Sequence, residues 1–275
     1  MDVKHFWLQH DAALPEHANS PQGELSHDLY RGMPPWFNAY YAFFQKRAVL
    51  KLLARCGPLA GLRAVDVGCG TGRWTELLAN FLVWPVGVDF GLRAVHFAAA
   101  SRRGGYFCAA ALPQLCFADN AFDLAVCVTV LQHVPRAEQE DAVAALARVL
   151  APGGRLIAFE LVDPGDSASH VFARSADAWR ALFESVGLRP IDYAPCEYLP
   201  YVKWFQRVRA WRAKRSSTDI APMDVTTVAM RLRQRPVLAG ALRLGIALSY
   251  PMEYLASWLL PKRWARLGGF LLVKE

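Results

Sequence analysis

Residues 65–74 read Val65-Asp66-Val67-Gly68-Cys69-Gly70-Thr71-Gly72-Arg73-Trp74, and their reading decides the fold. The short apolar run Ala64, Val65, Asp66, Val67 predicts a buried strand that stops at Gly68. Beyond Arg73 the apolar residues Trp74, Leu77, Leu78, Phe81 and Leu82 recur at helical spacing. A strand, a glycine turn and a helix therefore follow one another. Such a turn lets a ligand approach bare backbone, and the helix start beyond it offers N–H groups to an anionic ligand group. The dinucleotide fingerprint G-x-G-x-x-G needs its third glycine three residues after the second, and that position is Arg73. The glycines run G-x-G-x-G instead, with Asp66 two residues ahead of the first.

Asp66-Val67-Gly68-Cys69-Gly70-Thr71-Gly72 resembles the first motif of the class I S-adenosylmethionine-dependent methyltransferases. The resemblance implies that Gly68, Cys69, Gly70 and Gly72 cradle the methionine half of the cofactor. Asp66 would orient the loop and the cofactor's amino group. A tight turn with no ligand is the plain alternative.

Three later stretches continue the same series. Trp84-Pro85-Val86-Gly87-Val88-Asp89-Phe90 predicts a second buried strand closed by an acid. An acid at that place accepts hydrogen bonds from ribose hydroxyls, and the resemblance sets Phe90 beside it. Capping of the helix expected over 91–101 is the other reading of Asp89. Residues 115–123, Leu-Cys-Phe-Ala-Asp-Asn-Ala-Phe-Asp, resemble the family's "LPF-x-DN-x-FD". In that alignment the family's adenine-contacting acid falls at Ala111, a departure that leaves Ala111 and Leu112 near the ring without a carboxylate. Residues 148–156, Arg-Val-Leu-Ala-Pro-Gly-Gly-Arg-Leu, are a further family feature.

Strands are also expected near 106–110, over 124–130, over 155–161 and near 190–196. The apolar 124–130 run suits a central parallel strand, and the resemblance places Val128 against the cofactor. It leads into Leu131-Gln132-His133-Val134-Pro135. Ligands of open α/β sheets sit outside the carboxyl ends of the strands, so His133 is a candidate general base. Bracing the loop or positioning the substrate is its other reading. Glu160, closing the next strand, is a second candidate base or acceptor-binding group.

The first 33 residues, rich in His, Pro, Asn and Gly, read as an irregular arm ended by the turn Tyr30-Arg31-Gly32-Met33-Pro34-Pro35. That turn would hold Tyr30 and Arg31 at the mouth of the fold, with Arg31 paired to the cofactor carboxylate. From Trp36 to Cys56 aromatic and apolar residues recur at helical intervals. In the resembled family such a helix covers the cofactor and walls the acceptor pocket, so Trp36, Asn38, Tyr40 and Tyr41 are candidate substrate contacts. An aromatic face packed on the sheet is the alternative.

Composition bounds the remaining choices. The chain has 275 residues, 54% hydrophobic and 12% aromatic, enough for a buried core and against general disorder. No apolar leader is visible in the first residues. Six cysteines make no C-x-x-C pair and several lie in apolar runs, which fits free thiols of a reducing cytoplasm. No His/Cys/acid grouping has metal-ligand spacing, so no metal is expected. The net charge of +7 is localised: residues 199–266 carry thirteen Lys/Arg against Asp219, Asp224 and Glu253.

The expected fold is α/β, a doubly wound, seven-stranded, mainly parallel, Rossmann-like sheet. Residues 1–57 would form an arm and cap helix, 58–198 the cofactor-binding core, 199–262 a basic helical insertion and 263–275 the last, antiparallel strand. In the insertion, Tyr201, Trp204, Phe205, Val208 and Trp211 share a helical face, and 237–260 is apolar but too interrupted to span a bilayer. A lid over an apolar acceptor is the favoured role for it. Peripheral contact with an anionic membrane or lipid substrate is second. Nucleic-acid binding rests on charge alone, and an oligomer interface remains.

The function implied is methyl transfer from S-adenosylmethionine, leaving S-adenosylhomocysteine, to O, N or C of a small apolar or aromatic metabolite, with a lipid or quinone-like acceptor as the alternative. A nicotinamide oxidoreductase and a non-catalytic cofactor-binding protein are the readings from other classes.

Overall fold

The computed structural model describes residues 3–12, 29–30, 33–81, 84–101, 104–164, 170–198, 230 and 232–275. Among them the elements run α1 (Val3–Ala12), α2 (Pro35–Leu53), β1 (Ala64–Val67), α3 (Arg73–Ala79), β2 (Val86–Asp89), α4 (Leu92–Ser101) and β3 (Tyr106–Ala109). Then come β4 (Phe122–Val128), α5 (Gln139–Val149), β5 (Leu150–Leu161), α6 (Ala176–Glu184), β6 (Leu188–Tyr193), α7 (Pro236–Leu259) and β7 (Leu267–Lys274). The seven strands form one sheet in the order β3-β2-β1-β4-β5-β7-β6. The first five pair in parallel, and β7 lies antiparallel between β5 and β6.

The period-2 pattern of the central strands explains why both faces are covered. Ala125 and Cys127 of β4, with Leu156 and Ala158 of β5, face Leu146 of α5 and Trp179 and Phe183 of α6. The alternate residues Leu124, Val126 and Val128, with Ile157 and Phe159, face Leu52 and Leu53 of α2 and Trp74 and Leu78 of α3. The strand order reverses beside β1, whose neighbours are β2 and β4. A crevice opens at such a reversal, outside the carboxyl ends of the strands.

One expectation changes: residues 3–12 are helical where an irregular arm was expected. The apolar 237–260 segment forms one helix, α7, with Pro251 inside it, and no described helix is long and apolar enough to cross a membrane, as expected. The expected helical face at 201–211 lies outside the described residues. Helix α2 is divided by its partners. Its second half (Ala48, Val49, Leu52, Leu53) packs on the sheet, and its first half (Phe37, Tyr40, Tyr41, Phe44) packs with Ile246 of α7.

Candidate functional site

The glycine turn is pinned to the neighbouring strand before any ligand is considered. The Gly68 and Cys69 amides both donate to the Val88 carbonyl, at 2.7 and 3.0 Å. Gly68 sits at φ +73°, and a Cβ there would lie 2.2 Å from Val130 Cγ2. Only glycine lets the end of β1 and the residues after β4 close together in this way. Beneath the turn Asp66 is wholly buried and accepts a 2.7 Å hydrogen bond from the Thr75 hydroxyl of α3. The acid thus ties the strand before the turn to the helix after it.

Asp89 closes β2 on the crevice side. One carboxylate oxygen accepts the Gly70 amide at 2.9 Å and the other the Gly91 amide at 2.8 Å. It thus ties the glycine loop to the turn that leads into α4.

The turn after β4 is braced from below. Thr129 has φ +58°, uncommon for a β-branched residue, and its amide donates to the Phe159 carbonyl at 2.7 Å. The wholly buried Glu160 accepts the amides of Val130 (3.3 Å) and Leu131 (2.9 Å) on one oxygen and Gln132 (2.9 Å) on the other. Burial pushes its carboxyl up to about 8, against the pull of those three amides. Glu160 is therefore a brace under the turn, its two oxygens engaged by backbone amides where its place at the strand end made it a candidate base or acceptor-binding group. Gln139 closes the turn from α5, its amide nitrogen donating to the carbonyls of Leu131, Val134 and Phe172.

His133 is held by both ring nitrogens. The Gln132 side-chain oxygen accepts the Leu161 amide at 2.8 Å, so its –NH2 faces His133 Nε2 at 3.3 Å. Nε2 is then the acceptor, and Nδ1–H donates to the His170 carbonyl at 2.9 Å. Burial lowers the ring to about 4, so the imidazole is neutral near pH 7. These bonds match the positioning reading of His133 more closely than the general-base reading.

The crevice is roofed by α1. Trp7 meets His133 edge to face with ring centroids 4.6 Å apart, and Phe6 stacks on His170 at 4.0 Å. Asp11, at the other end of α1, caps α4 by accepting the amides of Arg93 and Ala94 at 3.1 and 2.9 Å.

Residues 65–158 match the family described as a methyltransferase domain. That interval contains the glycine turn, Asp89 and the braced turn after β4. Residues 65–158 are a methyltransferase domain of the class I, S-adenosylmethionine-dependent type. The chain is 32% identical over 102 residues to a ubiquinone biosynthesis O-methyltransferase of Thiobacillus denitrificans, covering 35% of this chain and 43% of that one. It is 31% identical over 168 residues to a trans-aconitate 2-methyltransferase of Variovorax paradoxus, covering 56% and 61%. The chain thus spans about half the length of these curated relatives. Among solved structures, a putative sarcosine dimethylglycine methyltransferase from Galdieria sulphuraria shares the fold, with a TM-score of 0.53, 18% identity and 84% of each chain covered.

Within the methyltransferase domain the expected cofactor residues Asp66, Gly68, Cys69, Gly70, Gly72, Asp89 and Phe90 gather at the carboxyl ends of β1 and β2. Ala111 and Leu112 follow β3, and Val128 is the last residue of β4. Their donor set fits the cofactor: bare turn backbone for the methionine end and a carboxylate at β2 for ribose. Tyr30 lies outside the domain. Its backbone is clamped by Asn38, whose side chain accepts the Tyr30 amide and donates to the Tyr30 carbonyl, both at 3.1 Å. Its hydroxyl accepts a 2.7 Å hydrogen bond from Arg266. Arg31 lies outside the described residues.

The expected acceptor contacts are largely engaged elsewhere. Asn38 is buried in the Tyr30 clamp. Tyr40 is buried and donates its hydroxyl to Glu253 of α7 at 3.3 Å. Tyr41 packs against Tyr30 with centroids 4.8 Å apart, and Trp36 against Phe37 at 6.3 Å.

Sequence reading missed a polar cluster built from four distant segments. Glu197 accepts from Gln45 at 3.0 Å and from Arg266 at 2.8 Å, while Gln45 accepts from Arg73 at 3.2 Å. Its one legible signal was Arg73, the residue that broke the dinucleotide spacing.

Proposed function

We propose that the chain transfers the methyl group of S-adenosylmethionine to a small apolar or aromatic acceptor. The observation that carries the reading is the convergence of the glycine turn and two strand-end acids, with Asp89 bonded directly to Gly70. When bound, the cofactor supplies a methyl group already activated by its sulfonium, so alignment can provide much of the rate. Asp66 and Thr75 hold the turn that receives the methionine end, and Asp89 is placed for the ribose hydroxyls. Ala111 and Leu112 would meet the adenine by backbone and apolar contact.

His133, neutral and bonded at both nitrogens, acts as a positioning residue in a turn that Glu160 holds from below. Tyr30, fixed by Asn38 and Arg266, closes the methionine end. One relative is named for ubiquinone biosynthesis and the other for trans-aconitate, and the first of these supports an aromatic or quinone-like acceptor.

Calorimetric titration tests the cofactor. S-adenosylmethionine and S-adenosylhomocysteine should bind and NAD(P)H should not, and Asp89→Ala should weaken binding of both at least tenfold. Binding of NAD(P)H without S-adenosylmethionine would overturn the reading. Mass spectrometry of cell extract incubated with the protein and deuteromethyl-labelled cofactor then identifies the acceptor. Failure to label anything across broad metabolite pools, with cofactor binding intact, would favour a non-catalytic protein.

A further inference from the structure

Helix α7 buries Ile246, Ser249, Glu253 and Ala256 against the protein and leaves an apolar side facing away. Inward, Ile246 is buried and packs with the aromatic half of α2, and Glu253 is 1% exposed. That carboxylate accepts from the Tyr40 hydroxyl and from the Tyr198 amide. At 100° per residue the opposite face carries Val237, Leu244, Leu248, Met252, Leu255 and Leu259, all exposed. Val237 is 86% exposed, and Trp258, on the flank of the same stripe, 83%. Contiguous exposed apolar surface on this scale marks an interaction site.

The charges around the stripe say what covers it. Arg233 and Arg235 precede the helix, Arg243 lies on its shoulder, and Lys262 and Arg263 follow it, all exposed. The one acid between residues 230 and 266 is the buried Glu253. Trp264, 58% exposed, stands beside Lys262 and Arg263. An apolar stripe with Trp at one end and cations at both is the pattern of a helix lying in the plane of an anionic bilayer. A second copy of the chain fits less well, because two-fold pairing of the helices would bring basic ends together. None of the described helices is long and apolar enough to cross a membrane, so the helix lies on the surface.

We propose that α7 docks the chain on anionic lipid bilayers, its outer stripe entering the headgroup boundary and the flanking cations meeting lipid phosphate. This surface stands independently of the methyl-transfer reading.

The test is co-sedimentation of the full chain with vesicles of 70 mol% phosphatidylcholine and 30 mol% phosphatidylglycerol, and with pure phosphatidylcholine vesicles. The wild type should pellet at least fivefold more with the anionic vesicles. The Leu248→Glu, Leu255→Glu double variant should lose that pelleting at least tenfold while binding S-adenosylmethionine as before. Hydrogen exchange of the wild type on the same vesicles needs no substitution and should show protection over 237–259.

Failure of the wild type to pellet with anionic vesicles would overturn the proposal, as would equal pelleting of the double variant or unprotected exchange over α7. A wild-type dimer that the double variant converts to monomer would identify the face as a self-interface instead. Cofactor titration is read separately. Vesicle binding without cofactor binding would sink the methyl-transfer reading and leave the docking surface standing, and the reverse result would do the opposite.

Discussion

Gly68 is fixed by two independent demands, a positive φ and the contact with Val130. Gly68→Ala pays for the φ alone with roughly 1–2 kcal/mol and also pushes the turn after β4 away. It should weaken S-adenosylmethionine binding by at least tenfold and lower Tm, both measurable on purified protein. His133 gives a pH signature. Its folded ring titrates near 4, below the ordinary value of ~6.5, so the unfolded chain takes up the proton first. Its stabilising contribution is complete above about pH 6.5 and is lost as pH falls toward 4. Wild type should therefore lose Tm over that window relative to His133→Asn, with the two profiles parallel above pH 7. In turnover the variant should keep more than a tenth of kcat on any acceptor found, since loss of a true base costs about 10²-fold or more. At this scale the motif residues were legible because backbone geometry dictates them. Thr129 and Gln132 were not, because a left-handed φ and a side chain spanning to Leu161 leave no mark in local spacing.

Elements bring together residues that local patterns treat separately. Above about pH 8, the value to which burial raises the carboxyl, Glu160 is ionised and accepts on both oxygens. There Glu160→Gln replaces one acceptor oxygen with a donor that faces a backbone amide. It should destabilise by about 1–3 kcal/mol, a fall in Tm of roughly 2–10 °C, without creating a pH limb in activity. Asp11→Ala removes the cap that α1 supplies to α4 across more than eighty residues of sequence. A cost of about 0.5–2 kcal/mol and faster proteolysis within residues 3–12 are expected. Helix α1 had a faint signal, since Val3, Phe6, Trp7 and His10 fall at helical spacing. A ten-residue stretch with so few apolar side chains is marginal alone, and its partners His133 and His170 lie far along the chain. Likewise the aromatics of α2 read as sheet-packing or substrate-lining. Their partner is α7, two hundred residues later, and no periodicity announces it.

Across the whole molecule, Arg266, Glu197, Gln45 and Arg73 link the glycine turn, α2 and the segments flanking the long excursion between β6 and β7. Glu197 is 2% exposed and Arg266 17%. Glu197→Ala deprives a largely buried guanidinium of its carboxylate and should cost about 3 kcal/mol. The double variant with Arg266→Ala should recover part of that loss, as a double-mutant cycle by thermal unfolding would show. The mainly parallel sheet with an antiparallel last strand was readable because four motifs in order resemble one family; the strand order and the cluster were not, because only the folded topology brings their members together. The sheet order has a further consequence during synthesis. Strand β7 slots between β5 and β6, yet residues 194–266 must be made after β6 before it exists. At ~5–20 residues per second, the ribosome leaves β5 and β6 with open flanks for roughly 4–15 s. Through that interval two strand edges with unpaired backbone wait for a partner, and a chaperone that shields them would be most needed there.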